Sequence, residues 1–83
     1  MKTKVKQLAN NQYEIITPKG TYFQSCDSII AYKPNGTGKI KLDAYFWDYS
    51  RTTGKYRNQF LNEGISETRA KIENKEYILT NLN

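Results

Sequence analysis

Tyr45-Phe46-Trp47-Asp48-Tyr49-Ser50-Arg51-Thr52-Thr53-Gly54-Lys55-Tyr56-Arg57-Asn58-Gln59-Phe60-Leu61 decides how the chain is read, because the local period changes inside it. Upstream of Trp47 apolar and polar residues alternate, the two-residue period of a strand, and from Ser50 onward apolar residues recur at helical spacing. The block holds six of the eleven aromatic residues, the only Trp and two of the three Arg. Large rings and guanidinium groups anchor cores and recognition surfaces alike, so any functional surface is expected here.

Working back from the block, residues 39–47 place Ile40, Leu42, Ala44 and Phe46 on a core face. Lys39, Lys41, Asp43, Tyr45 and Trp47 fall on the other. Pro34 to Gly38 reads as a turn. Ser28 to Tyr32, with Ile29, Ile30 and Ala31, suits a central strand, and Ser25 to Ser28 is too polar to continue cleanly, so a bulge or break is expected there. Thr21 to Ser25 is extended with Phe23 inward, and Pro18-Lys19-Gly20 is a turn. Gln12 to Thr17 puts Tyr13, Ile15 and Thr17 on one face, and Asn10-Asn11 reads as the hairpin turn before it. Lys2, Lys4 and Lys6 alternate with Thr3, Val5 and Gln7, the pattern of an edge strand guarded by lysines.

Working forward, Ser50 is the expected N-cap, with Asp48 as the alternative. Thr53, Tyr56, Phe60 and Leu61 form the buried side of the helix, and Arg51, Lys55 and Asn58 face away. Gly64 is read as the residue ending this helix. Ser66 would cap a second one, with Glu67 in its first turn and an end near Asn74. Glu76 to Leu82 is a last strand or an extended segment packed on the sheet. A run of strands followed by helices is the order of an α+β domain. The expected fold is one domain over residues 1–83: a small antiparallel sheet of four to five strands followed by two short helices packed on one face.

Composition narrows the function. A domain of 83 residues buries only about 60% of its unfolded surface and supports one core. No stretch of about 18 apolar residues exists and the N-terminal residues lack a signal-peptide core, so a cytoplasmic protein without a membrane partner is expected. With no His, a single Cys and no glycine-rich phosphate loop, the chain lacks the usual zinc ligands, the commonest general base and a P-loop. The expectation is a non-enzyme with no metal and no cofactor. The net charge of +5 is concentrated: residues 1–61 carry ten basic groups against four acidic, and residues 62–83 three against four. Such a field attracts polyanions and acidic protein faces.

Tyr22-Phe23-Gln24-Ser25, Asp27-Ser28-Ile29-Ile30-Ala31, the block Trp47 to Leu61 and the ending Glu76 to Asn83 together resemble a family of small uncharacterised phage and prophage proteins of low-GC bacteria. The family pattern has an aromatic after Phe-Gln-Ser where this chain has Cys26, which argues against a required thiol. The resemblance implies an accessory protein of a phage or mobile element, working in the cytoplasm of a bacterial host. Three functions follow as expectations. The first is an inhibitor or modulator of a host protein or nucleoprotein, such as a defence nuclease, in the manner of anti-CRISPR proteins. The second is direct binding of DNA or RNA, and the third is a structural or regulatory phage subunit that forms a stable oligomer. In the first two, the partner-binding residues would be Lys39, Lys41, Tyr45, Trp47, Tyr49, Arg51, Lys55 and Arg57, with rings stacking and cations meeting phosphates or acids.

Overall fold

The computed structural model describes residues 3–83. Its elements run β1 (Lys4–Ala9), β2 (Gln12–Ile16), β3 (Gly20–Ser25), β4 (Ser28–Pro34), β5 (Lys41–Asp43), α1 (Arg51–Leu61), α2 (Ile65–Glu73) and β6 (Ile78–Thr80). The strands form one sheet in sequence order, antiparallel from β1 to β5, with β6 added parallel to β5. A parallel neighbour needs a crossover, and both helices supply it. The expected α+β architecture is therefore present, with one strand more than the four to five expected.

Phe23, Ala31 and Leu42 are register partners on adjacent strands, each fully buried. They form the sheet half of the core. The helix half is Phe60 and Leu61, with Phe60 stacked 5.8 Å from Phe23, and Tyr77 closes the end. The opposite face stays open, with Val5, Ile15, Tyr22, Tyr32, Lys41 and Ile78 aligned in successive register across all six strands. Tyr22 and Tyr32 pack ring on ring there at 4.5 Å. β1 is an edge strand bearing Lys4 and Lys6, as expected, while Lys2 lies outside the described residues.

The break expected at residues 25–28 is a tight turn: Ser25 pairs with Ser28 across two residues, and Cys26 takes a positive φ of 55°. A register shift lies at Phe23/Gln24, where β4 carries the extra residue Ile30. Other local expectations need correcting. α1 ends at Asn62, not Gly64. Asn62 sits in the left-handed region (φ 56°, ψ 46°), which Asn tolerates, and Gly64 has an ordinary φ of −89° as the N-cap of α2. Ser66 is therefore inside α2 rather than its cap. Among the described residues no helix is long and apolar enough to cross a membrane.

Candidate functional site

The strand alternation read through Trp47 stops at Asp43, and the reason is that side chain. Its Oδ2 accepts from the N–H groups of Tyr45 (3.0 Å) and Phe46 (2.9 Å), and Trp47 N–H donates to the Asp43 carbonyl at 3.0 Å. A carboxylate that captures the next amides folds the chain into a turn instead of a strand. Oδ1 accepts from Leu82 N–H at 2.8 Å, tying the C-terminal segment to the same residue. Asp43, expected outward, is 1% exposed, and Ala44, expected in the core, is exposed. Burial pushes the Asp43 carboxyl up, but the amides of Leu82, Phe46 and Tyr45 and the Asn83 side chain outweigh it and hold the pKa below the usual value.

The turn disperses the rings of residues 45–49. Tyr45 is 87% exposed and Tyr49 51% exposed. Phe46 bridges them, 5.8 Å from Tyr45 and edge-on to Tyr49 at 5.6 Å. Trp47 turns inward and packs half-buried against the core cluster. The expected sheet face of lysines and rings does not exist: Tyr45 and Trp47 leave the strand in different directions. Lys41 stands on the open sheet face, and Lys39 donates to the Lys75 carbonyl at 2.6 Å.

Ser50 is the N-cap of α1, its Oγ accepting from Thr53 N–H at 3.1 Å. The Thr53 hydroxyl in turn meets Ser25 Oγ at 2.9 Å, a buried link from the start of the helix to the end of β3. Thr53, Arg57, Phe60 and Leu61 form the buried stripe of the helix. Arg57 therefore differs from the exposed partner-binding residue expected. It is 1% exposed, and Nη1 donates to the Trp47 carbonyl (2.8 Å) and Asp48 Oδ1 (3.1 Å), Nη2 to Asn58 Oδ1 (3.0 Å). Its guanidinium lies 5.3 Å from the Trp47 ring. A buried guanidinium is tolerated because fixed acceptors surround it. Nε is the exception, with no hydrogen-bond partner among the described residues.

These elements enclose an open groove of about 720 Å³, lying between residues 48–50, the exposed side of α1, and Ile65 and Arg69 of α2. Tyr49, Arg51, Lys55 and Arg57 all line it, so four of the eight expected site residues converge. Arg69, overlooked in the sequence, joins them and reaches Asp48 Oδ2 at 3.3 Å. All three arginines of an 83-residue chain thus share one groove, and with Lys55 they set four cations against the single carboxylate of Asp48. The only hint of Arg69 in the sequence was its residue type, since nothing in its own spacing marks it.

The charge order of α1 adds to this. A helix N-terminus favours anions, yet the first turn carries Arg51 and no acid. At the other end the cation comes from outside: Lys33 of β4 donates to the Phe60 carbonyl at 2.6 Å. The helix start therefore adds its positive potential to that of the arginines. Electrostatically the groove is built for an anion.

Residues 2–78 match the model of a family of unknown function, DUF8033, and the chain belongs to that family. No curated protein and no solved structure matches the chain.

Proposed function

We propose that this member of DUF8033 is a non-enzymatic binding protein that docks through the arginine groove and the 45–49 turn on an anionic surface of a host protein or nucleoprotein. Its role would be that of a phage or mobile-element accessory factor that inhibits or modulates its target, a defence nuclease being the leading case. The observation that supports this most is the convergence of Arg51, Arg57 and Arg69 with Lys55 in one open groove beside the exposed rings of Tyr45 and Tyr49. Arg and Tyr are the side chains enriched at interface hot spots, and Arg binds carboxylate or phosphate through a rigid fork of donors. The +5 charge favours an acidic protein face or the nucleic-acid part of a nucleoprotein as the complementary surface.

The test is a tagged pull-down from a low-GC bacterial lysate, with and without nuclease, run beside Arg51→Glu/Lys55→Glu. Both positions are exposed and neither side chain has a hydrogen bond or ion pair among the described residues. Wild type is expected to retain a stoichiometric partner that the double variant loses, at an unfolding midpoint no lower than that of wild type. Equal recovery on both baits would remove the groove from the interface.

A further inference from the structure

Resting on that reading, we infer that the groove takes the phosphodiester backbone of a single nucleic-acid strand, with one phosphate seated over Gly54 above the Arg57 guanidinium and the rings of Tyr49 and Tyr45 stacking on neighbouring bases. A guanidinium has five N–H groups. Nη1 uses its donors on the Trp47 carbonyl and Asp48, and Nη2 uses one on Asn58. Among the described residues Nε and one proton of Nη2 have no acceptor. A buried charged donor of this kind takes a water, an ion or a ligand atom as its partner.

At residue 54 no side chain separates that guanidinium, itself 1% exposed, from the groove. A Cβ at position 54 would sit 3.5 Å from Nη2, 3.8 Å from Nη1 and 3.9 Å from Cζ, ordinary contact distances, and would meet nothing closer. An alanine therefore fits. It would also occupy the space that an oxygen bonded to Nη2 from the groove side needs. Glycine inside a helix is less favourable than alanine, so this position gives up helix stability and leaves no Cβ over the cation below. Around the opening stand Arg51, Lys55 and Arg69, the last 62% exposed. The one acid present, Asp48, already has its two oxygens on Arg57 and Arg69.

The aromatic rim selects the class of anion. Tyr45 is 87% exposed and Tyr49 half exposed at the groove wall, and both touch Phe46 rather than the core. Rings standing in water beside a cationic track suit unstacked bases, which any sequence provides, whereas a duplex hides its base faces. An acidic peptide would use the cations and leave the rings idle.

Fluorescence anisotropy with a labelled oligo(dT) of about 12 nucleotides, a length within the usual span of single-strand sites, tests this directly. Wild type is expected to bind with a log–log salt slope of about −2 to −3, the value for three to four phosphate contacts on a single strand. Gly54→Ala is expected to melt a few degrees higher and to bind about ten-fold or more weakly, the loss of one charge-assisted hydrogen bond. Arg69→Gln provides a second check that does not depend on the helix interior, lowering the slope by about 0.7. Wild-type affinity in Gly54→Ala overturns the inference, as does displacement of the strand by polyglutamate at equal charge. If wild type binds no oligonucleotide while Arg51→Glu/Lys55→Glu still loses its protein partner, the groove reading stands and the phosphodiester is refuted as its ligand.

Discussion

Replacing Arg57 by Met keeps most of the buried volume and removes the charge, so it isolates what the guanidinium contributes. Three acceptors lose their donor: the Trp47 carbonyl, Asp48 Oδ1 and Asn58 Oδ1. Removing one member of a buried ion pair destabilises by about 3–5 kcal/mol when its partner is left stranded. Asp48 is not stranded, since its side chain is 35% exposed and Arg69 holds its other oxygen, so the lower end applies. A loss of about 3 kcal/mol is expected, against a total of about 4–12 kcal/mol for a domain of this length. At about 4–8 °C per kcal/mol, the melting midpoint should fall by about 12–24 °C. Urea unfolding followed at Trp47 is the natural assay, because the sole Trp lies against this guanidinium. Arg57→Lys should recover only a minor part, since one ammonium cannot serve acceptors spread around a planar fork. A loss below about 1 kcal/mol for Arg57→Met, the range of exposed pairs, would mean that Arg57 is a surface residue and would refute the network described here.

Acid should weaken the fold. Burial raises the Glu63 pKa, but hydrogen bonds from Lys71, Thr68 and Tyr77 outweigh it, so Glu63 like Asp43 titrates below its usual value. A depressed folded-state pKa contributes stability above the unfolded carboxylate pKa and loses it as pH falls, so urea midpoints should hold down to about pH 5 and drop below about pH 4. Asp43→Asn should start less stable at pH 7 and show a shallower acid decline; parallel curves for the two proteins would exclude Asp43 from the effect. Lys71→Met leaves the Glu63 carboxylate, 3% exposed, without its 2.6 Å cation and should lower the urea midpoint; an unchanged midpoint would show that Thr68 and Tyr77 satisfy that carboxylate alone. Gly20→Ala should lower it further, because a Cβ there would overlap the Lys33 carbonyl and lie 2.6 Å from the Tyr32 hydroxyl; a wild-type melt would contradict that crowding.

The sheet was legible wherever period-two alternation ran between turn residues, as in Gln12–Ile16 and Gly20–Ser25, and the N-cap at Ser50 was legible from residue type alone. Alternation misled at residues 44–47 because it persists by composition into a segment whose backbone is held by the Asp43 carboxylate. A polar residue that forms a turn by capturing amides looks the same in sequence as one that faces solvent. Arg57 was misplaced for a related reason. Its spacing from Thr53 and Phe60 puts it on the buried stripe, but charge argued for the surface, and only the acceptors from the preceding turn reverse that. Arg69 could not be placed because its neighbours depend on how α2 packs beside α1. The crossover to β6 likewise depends on tertiary closure, since three residues of strand carry little pattern of their own.

Two choices in α1 run against local stability, and they meet at one place. Arg51 stands at the positive end of the helix dipole, where a cation is unfavourable by about 0.3–1 kcal/mol. Gly54 in the helix interior costs about 0.5–1 kcal/mol relative to alanine, with no packing reason, because a methyl group fits there. Summed, these reach about 1–2 kcal/mol in a domain whose whole stability is about 4–12 kcal/mol. Local rules broken together, on one surface, are the expected mark of a site whose residues serve a partner instead of the fold. Arg51→Glu/Gly54→Ala relieves both, so it should gain about 1–2 kcal/mol in urea while losing its partner. If that variant gains the stability and keeps full binding, the groove is a product of packing, and the interface lies elsewhere on the molecule.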